Sequence, residues 1–356
     1  MAYARFLVLV ALLCACGPAG RVEQPRSLTA EQRAGAELYV RYCALCHGES
    51  GEGYAADAAT RLNGQSFLRT ATDELLRTAI ARGRIDTAMA AYSREHGGPL
   101  DDAQIDAIVA FIRTWQEGPP IDVGGVEVRG DPERGARLFT ERCASCHGTL
   151  GEGASAQSLR APSFLHTASD GFLRYAIVHG REGTPMPAFG GELEPRAIDD
   201  LVAFLRRMER EPDAVPAHLS PPSLDDVPLL RHPEGPTPTF TLREGRYVSA
   251  VQVRDAIEQR SRLIVLDARP TSDWLRRRLP GAIPVPYYDI EPIIERLPRD
   301  GTWIVAYCGC PHAASGAVVD ALRAAGFENT AVLDEGVYHW IDQGYPTESG
   351  PVSAPP

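Results

Sequence analysis

Two copies of the pattern Cys-x-x-Cys-His carry the clearest chemical signal in this sequence of 356 residues. On a helix, positions i and i+3 share a face, so two thiols at this spacing can add to the two vinyl groups on one edge of a porphyrin. The adjacent histidine then points a ring nitrogen at the iron. The sequence therefore predicts two covalently bound haem c groups, held by these residues: Cys43, Cys46 and His47 in the first copy, and Cys143, Cys146 and His147 in the second.

A zinc site and a redox-active dithiol are the alternatives for the same residues. Zinc needs a fourth ligand, and no further pair of cysteines or histidines lies near either copy. A redox dithiol is typical of a βαβ setting, whereas Leu75, Leu76 and Ile80 follow helical spacing. The haem interpretation is therefore favoured over both.

The flanks of the two copies also match each other. Gly-Glu-Gly recurs at 51–53 and 151–153, and Ser-Phe-Leu recurs at 66–68 and 163–165. Such a repeat indicates a duplicated helical domain. Each copy resembles the small mono-haem cytochrome c family, over residues 31–117 and 131–210. The resemblance implies two all-α domains that transfer single electrons between redox partner proteins, a donor and an acceptor.

In that family a methionine downstream of the histidine is the sixth iron ligand. The second copy offers Met186, which lies between two prolines. The first offers Met89, in a segment without prolines, with His96 as a rival and an open coordination site as a third alternative. A softer segment predicts weaker or switchable iron ligation in the first copy. Histidine–methionine ligation raises the reduction potential of the iron, and two filled axial positions block small ligands.

The pattern changes after a proline-rich stretch at residues 211–240, which we expect to be a semi-rigid extended spacer. Short apolar runs at 263–266, 303–307 and 331–333 alternate with helical stretches, which predicts a parallel α/β sheet. Leu-Asp-Ala-Arg at 266–269 and Tyr-Cys at 307–308 are among the matches by which residues 245–347 resemble a rhodanese domain. The predicted fold is thus multidomain, with two all-α cytochrome c domains followed by an α/β rhodanese-like domain.

The rhodanese resemblance makes Cys308 the candidate nucleophile, at the start of a loop that leads into a helix. Cys310 follows two residues later, so the two thiols could exchange a persulfide, close into a disulfide, or hold a metal with His312. One hypothesis is sulfurtransferase or thiol-redox activity on a small sulfur or thiol substrate. The other is a non-catalytic docking domain. Phosphatase-like chemistry is disfavoured because residues 308–315 contain no arginine and His312 is their only candidate cation.

The N-terminus predicts export. Arg5 and the apolar run at 6–13 read as a secretory signal, too short to span a bilayer. Leu-Cys-Ala-Cys-Gly at 13–17 resembles a bacterial lipobox, which implies a lipoprotein signal peptide over residues 1–16 and lipidation of Cys16. Ordinary cleavage nearby is the alternative. We expect a periplasmic or cell-envelope protein on a lipid anchor, and the net charge of −11 argues against a nucleic-acid partner.

Overall fold

The computed structural model of the chain describes residues 27–54, 56, 59–209, 223–309 and 312–350. The signal segment with Cys16, and also Cys310, lie outside the described residues. In the described parts the chain forms two helical units and a C-terminal α/β domain, which confirms the predicted fold class. No helix in these parts combines the length and the apolar character that crossing a bilayer requires.

The helices of the first unit begin at side chains that accept hydrogen bonds from the otherwise unpaired N–H groups of the first turn. Thr29 and Asp101 form capping boxes with Gln32 and Gln104 at two of these starts. Short 3-10 turns at Arg94–His96 and Arg113–Trp115 complete the unit. Its helices are α1 (Ala30–Tyr42), α2 (Ala44–His47), α3 (Gln65–Leu68), α4 (Asp73–Arg82) and α5 (Asp102–Ile112).

The second unit repeats the same order of helices. Asp131 caps its first helix, and Ser169 caps the helix that corresponds to α4. The sequence repeat is therefore a structural repeat. The helices are α6 (Pro132–Arg142), α7 (Ala144–His147), α8 (Pro162–Thr167), α9 (Asp170–His179) and α10 (Pro195–Arg206).

A close helix crossing forms the core of each unit, between α1 and α5 and between α6 and α10. A Cβ atom at Gly35 would lie 1.9 Å from the carbonyl oxygen of Ala107. A Cβ at Gly135 would lie 2.0 Å from the carbonyl oxygen of Asp200. Glycine at these two positions is what allows the backbones to approach so closely.

The two units pack through equivalent elements. Helix α4 contacts α8, and α3 contacts α9, so each unit presents the same pair of helices to the other. Arg84 lies 4.7 Å from the ring centroid of Phe164, and its counterpart Arg181 lies 5.8 Å from the ring centroid of Phe67. These reciprocal contacts relate the two units by an approximate two-fold rotation.

The C-terminal domain contains one parallel sheet, as the sequence predicts, and its strand order is β1-β5-β4-β2-β3. Its central strands are buried because helices cover both faces. The strands are β1 (Tyr247–Val248), β2 (Leu263–Asp267), β3 (Ile283–Pro284), β4 (Trp303–Tyr307) and β5 (Thr330–Leu333). The helices are α11 (Ala250–Glu258), α12 (Thr271–Arg276), α13 (Glu291–Ile294), α14 (Ala313–Ala324) and α15 (Gly336–Asp342).

The second half of the proline-rich stretch packs on this domain. Val227 is buried in the domain core, and Leu224, Leu229 and Leu230 pack around it. The amide of Arg262 donates a hydrogen bond to the carbonyl of Pro236 at 2.9 Å. Residues 223–239 are thus attached to the α/β domain and do not form a free spacer, because Val227 is buried there and the three leucines are partly buried. Residues 210–222 lie outside the described residues.

The α/β domain docks on the first unit through the carboxyl ends of its strands. Ligands bind at this edge in open parallel sheets. Three hydroxyl groups that follow β2, β3 and β5 donate hydrogen bonds to carbonyl oxygens of the first unit: Ser272 to Ala91 at 2.6 Å, Tyr287 to Tyr42 at 2.6 Å, and Tyr338 to Thr87.

Candidate functional site

The first Cys-x-x-Cys-His copy lies at the junction of α1 and α2. Cys43 ends α1, while Cys46 and His47 close the single turn of α2. Nδ1 of His47 lies 2.8 Å from the carbonyl oxygen of Thr60. Because a carbonyl can only accept, the ring proton is on Nδ1, and Nε2 keeps the lone pair that can bind a metal.

The second copy has the same geometry at the junction of α6 and α7. Cys143 ends α6, and Cys146 and His147 close α7. Nδ1 of His147 lies 2.9 Å from the carbonyl oxygen of Gln157, which occupies the place of Thr60 in the repeat. Both imidazoles are thus oriented as metal ligands through Nε2.

The protonation of these groups disfavours the dithiol alternative, and the arrangement of ligands disfavours zinc. Burial raises the pKa of Cys43 to about 12 and that of Cys143 to about 11, which disfavours thiol exchange, since exchange needs a thiolate. Burial also lowers the pKa of His47 and His147, which favours the neutral imidazole. In the described parts of the chain, no group of three or more His, Cys, Asp or Glu side chains is arranged to hold a metal ion.

Each copy opens onto a cavity that has a methionine on its wall. We call these the first cavity, of about 430 Å³, and the second cavity, of about 160 Å³. The structure brings together the predicted attachment residues and the predicted axial ligands: Cys43, Cys46, His47 and Met89 line the first cavity, and Cys143, Cys146, His147 and Met186 line the second.

His96, the rival ligand, is not among the residues that line either cavity. It lies in a 3-10 turn, where its Nδ1 atom is 2.6 Å from the hydroxyl of Ser93. This placement favours Met89 over His96 as the side chain that faces His47.

Two half-buried arginines on the cavity walls suit an anionic cofactor such as haem. Arg84 lines both cavities, and Arg181 lines the second. Burial lowers the pKa of each to about 10. For Arg84 burial is the cause of this shift, and for Arg181 the nearby Glu182 offsets part of it. The haem propionates are anions that would offset the cost of this burial, so the residues present fit the group.

The two cavities share a wall that links the two sites. Nη1 of Arg84 donates to the side-chain oxygen of Gln157 at 3.0 Å, and the carbonyl of Gln157 accepts from His147. The sequence analysis missed both arginines. Their equivalent positions in the repeat were visible in the sequence, but their place on the cavity walls was not. The residues that line both cavities are Thr60, Phe67, Arg84, Ala156 and Gln157.

Cys308 follows β4 directly and is 1% exposed. Its Sγ atom lies 3.2 Å from the hydroxyl of Ser315 in the first turn of α14, where the sequence predicts a thiol at a helix N-terminus. Nε2 of His312 lies 2.8 Å from the carbonyl oxygen and 3.0 Å from the carboxylate of Asp334. This engagement with Asp334 further disfavours the phosphatase-like alternative, in which His312 would grip an oxyanion.

The loop after Cys308 reaches the first cavity. Gly309 and Tyr338 line that cavity on the side of Met89. A Cβ at Gly309 would lie 3.5 Å from the Cα of Ala88. In addition, α14 contacts α2, and Leu45 packs against the core of the α/β domain. The candidate sulfur site and one candidate haem site are therefore neighbours.

Comparisons with known proteins match both parts of the chain. The family model for cytochrome c oxidase, cbb3-type, subunit III matches residues 30–112 and 130–205, and the rhodanese-like domain model matches residues 249–343. The Cbb3-type cytochrome c oxidase subunit FixP of Bradyrhizobium diazoefficiens is 29% identical over 200 residues, which cover 52% of this chain and 64% of that protein. The chain thus spans less than two thirds of that relative.

Two further relatives cover different parts of the chain. The cytochrome bc1 complex cytochrome c subunit of Mycobacterium tuberculosis is 27% identical over 216 residues, which cover 56% of this chain and 74% of that protein. A solved rhodanese-like domain from Anabaena sp. is 27% identical. The match covers 29% of this chain and 78% of that domain's chain, with a TM-score of 0.27.

Proposed function

We propose that this chain, which carries two c-type cytochrome domains followed by a rhodanese-like domain, is a dihaem electron-transfer protein that oxidises a sulfur or thiol substrate at Cys308. One observation carries the proposal: Gly309, next to Cys308, lines the same cavity as His47 and Met89. A sulfur site beside a redox cofactor suits electron release better than sulfur transfer alone.

The chain's own residues hold and tune the two haems. Haem c supplies one-electron transfer at its iron when bound. Thr60 and Gln157 fix the ring orientation of the two histidines, and Arg84 and Arg181 supply positive charge. Under the proposal, Cys43, Cys46, Cys143 and Cys146 would attach the haems covalently, and His47 with Met89 and His147 with Met186 would bind the irons.

The electrons balance at Cys308. Two thiols that join into one disulfide release two protons and two electrons, which matches two one-electron carriers. The second sulfur comes from the substrate: a thiol or persulfide ends in an S–S bond to Cys308 and releases two protons with the two electrons, whereas thiosulfate ends as Cys308–S–S–SO3⁻ and releases one proton. A disulfide between Cys308 and Cys310 would release the same two electrons once, without a substrate. The reactive form of a cysteine is its thiolate, and the hydroxyl of Ser315, in the first turn of α14, lies 3.2 Å from Sγ of Cys308, within reach of a negative charge there.

A reduction assay tests the proposal. Thiosulfate or a persulfide donor, added without oxygen, should reduce the haems of the wild type but not those of Cys308→Ser, as followed by the absorbance bands of ferrous haem c. Dithionite should reduce both proteins to the same extent, which controls for haem content. Equal reduction of both proteins by the sulfur donor would remove the sulfur chemistry from the proposal.

The second candidate function is a respiratory electron shuttle with a non-catalytic docking domain. The burial of Cys308 and the hydroxyl contacts along the docked sheet edge favour it. Two relatives are named as subunits of an oxidase and of a bc1 complex. The same assay separates the candidates, because a shuttle would be reduced by a redox protein and not by a sulfur donor.

The proposal includes lipid anchoring at the periplasmic or cell-envelope side. It is supported by the lipobox-like residues 13–17 in the sequence. The mature protein should sediment with membranes, and Cys16→Ala should release it into the soluble fraction. A wild type that is already soluble would exclude the anchor.

A further inference from the structure

We propose that Tyr338 of the C-terminal domain positions Met89. In the second unit, two prolines hold the equivalent methionine segment in place. The inference depends on the proposed ligation of a haem by Met89. It concerns the two methionine segments, residues 84–92 and 181–189, which occupy the same place in the repeat.

The two segments share one framework of main-chain and threonine hydrogen bonds. In each, the threonine hydroxyl donates to an arginine carbonyl and accepts from the methionine amide. The distances in the first segment are 2.7 Å from Thr87 to Arg84 and 3.1 Å from Met89 to Thr87. In the second they are 2.8 Å from Thr184 to Arg181 and 3.2 Å from Met186 to Thr184.

The first segment lacks the residues that stiffen the second. Asp86 has a φ of 61°, a conformation that costs free energy in a residue with a side chain, whereas its counterpart Gly183 adopts a φ of 68° without that cost. Alanine also leaves the unfolded chain more freedom than proline does. Ala88 and Ala90 stand where the second segment has Pro185 and Pro187.

Contacts from the C-terminal domain take the place of these residues. Tyr338 donates to the carbonyl of Thr87, and Ser272 donates to that of Ala91. Ala90 and Ala91 are 3% and 4% exposed, whereas the corresponding residues of the second segment are exposed. The first segment is therefore held from outside its own unit.

Tyr338 is the contact nearest to the methionine along the hydrogen-bonded framework. It holds the carbonyl of Thr87, and the hydroxyl of the same threonine holds the amide of Met89. The ring of Tyr338 also lies 3.0 Å from the position of a Cβ at Gly309. The support of Met89 thus touches the loop that follows Cys308.

Tyr338→Phe tests the inference, because it removes the hydroxyl and keeps the ring. The variant is measured as the oxidised full-length holoprotein. We expect the methionine–iron charge-transfer band of the first haem to lose intensity. Added imidazole should displace the methionine at one haem roughly fivefold more readily, as the loss of one hydrogen bond predicts. The second haem should keep its wild-type affinity.

Further variants make the outcome decisive. Ser272→Ala should act in the same direction, and Ala88→Pro should restore the band in the Tyr338→Phe background. Tyr345→Phe is the matched control, because that ring packs on Trp340 and should leave both readouts unchanged. Wild-type band and imidazole affinity in both Tyr338→Phe and Ser272→Ala would overturn the inference. A full wild-type band in Met89→Ala would instead overturn the proposed ligation.

Discussion

Arg84 contacts both candidate haem sites. It lines both cavities, contacts Phe164 of the second unit, and hydrogen-bonds to the residue whose carbonyl orients His147. Arg181, its counterpart, lines the second cavity and reaches back to the carbonyl of Ser66 at 2.8 Å. A positive charge in this place affects the redox equilibrium of a nearby iron, because the ferric state carries one more positive charge than the ferrous state.

Arg84→Gln should therefore lower the reduction potentials of both haems. We expect a shift on the order of 60 mV, which corresponds to a tenfold change for a one-electron couple. Arg181→Gln is the matched comparison and should lower mainly the potential of the second haem. A spectroelectrochemical titration measures both values. A shift confined to one haem in Arg84→Gln would contradict the shared role.

The candidate residues for haem attachment and iron ligation could be predicted from the sequence because the chemistry proposed for them fixes their spacing. The Cys-x-x-Cys-His copies and Met186 are such residues, and the structure gathers them around the cavities. The arginines could not be predicted, because an arginine on a surface and one in a cavity have the same local pattern. Their burial depends on how two separate units pack.

At the scale of elements, the close helix crossing forms the core of each unit. Gly35 and Gly135 stand at equivalent places, and each faces a carbonyl oxygen of the partner helix at a distance that excludes a Cβ atom. The sequence shows the glycines as part of the repeat but not the partner carbonyls.

Gly35→Ala and Gly135→Ala should each lower the free energy of unfolding by about 1–3 kcal/mol, because the added methyl group forces the helices apart. Denaturant unfolding of the holoprotein, followed by far-ultraviolet circular dichroism, measures the change. Glu37→Ala, at an exposed position of α1, should change stability by less than about 0.5 kcal/mol. Wild-type stability in both glycine variants would show that the helices can separate without cost.

At the scale of the whole molecule, the two kinds of domain differ in what their cores depend on. The α/β domain has apolar clusters on both faces of its sheet. The helical units instead surround cavities, and the first measures about 430 Å³. Leaving that cavity without haem would expose its apolar walls to water and remove the packing that fills the unit.

Loss of the haems should thus unfold the helical units and spare the α/β domain. A variant with alanine at Cys43, Cys46, Cys143 and Cys146 provides the test. Hydrogen exchange should become fast in α5 and α10 and stay slow in β2 and β4. Slow exchange in α5 and α10 of the haem-free protein would contradict the expectation.

The domain order could be predicted from the repeat and from the change to strand patterns, but the docking of the third domain could not. Its hydrogen bonds join hydroxyl groups to carbonyl oxygens far away in the chain, and carbonyls carry no sequence signal. Apolar residues between the prolines, such as Val227, were the visible hint that the linker is packed. The many prolines, which favour an extended chain, pointed the other way.

The docking also makes the two Cys-x-x-Cys-His copies differ in their exposure to solvent. Leu45 and Cys46 of the first copy are half-buried, and Leu45 packs on the α/β domain, whereas Ser145 and Cys146 of the second copy are exposed. A redox partner protein would therefore reach a haem at the second copy directly, whereas the α/β domain covers part of the first copy. If electrons enter beside Cys308, we expect an acceptor protein to take them up at the side of Cys146, which the α/β domain leaves exposed.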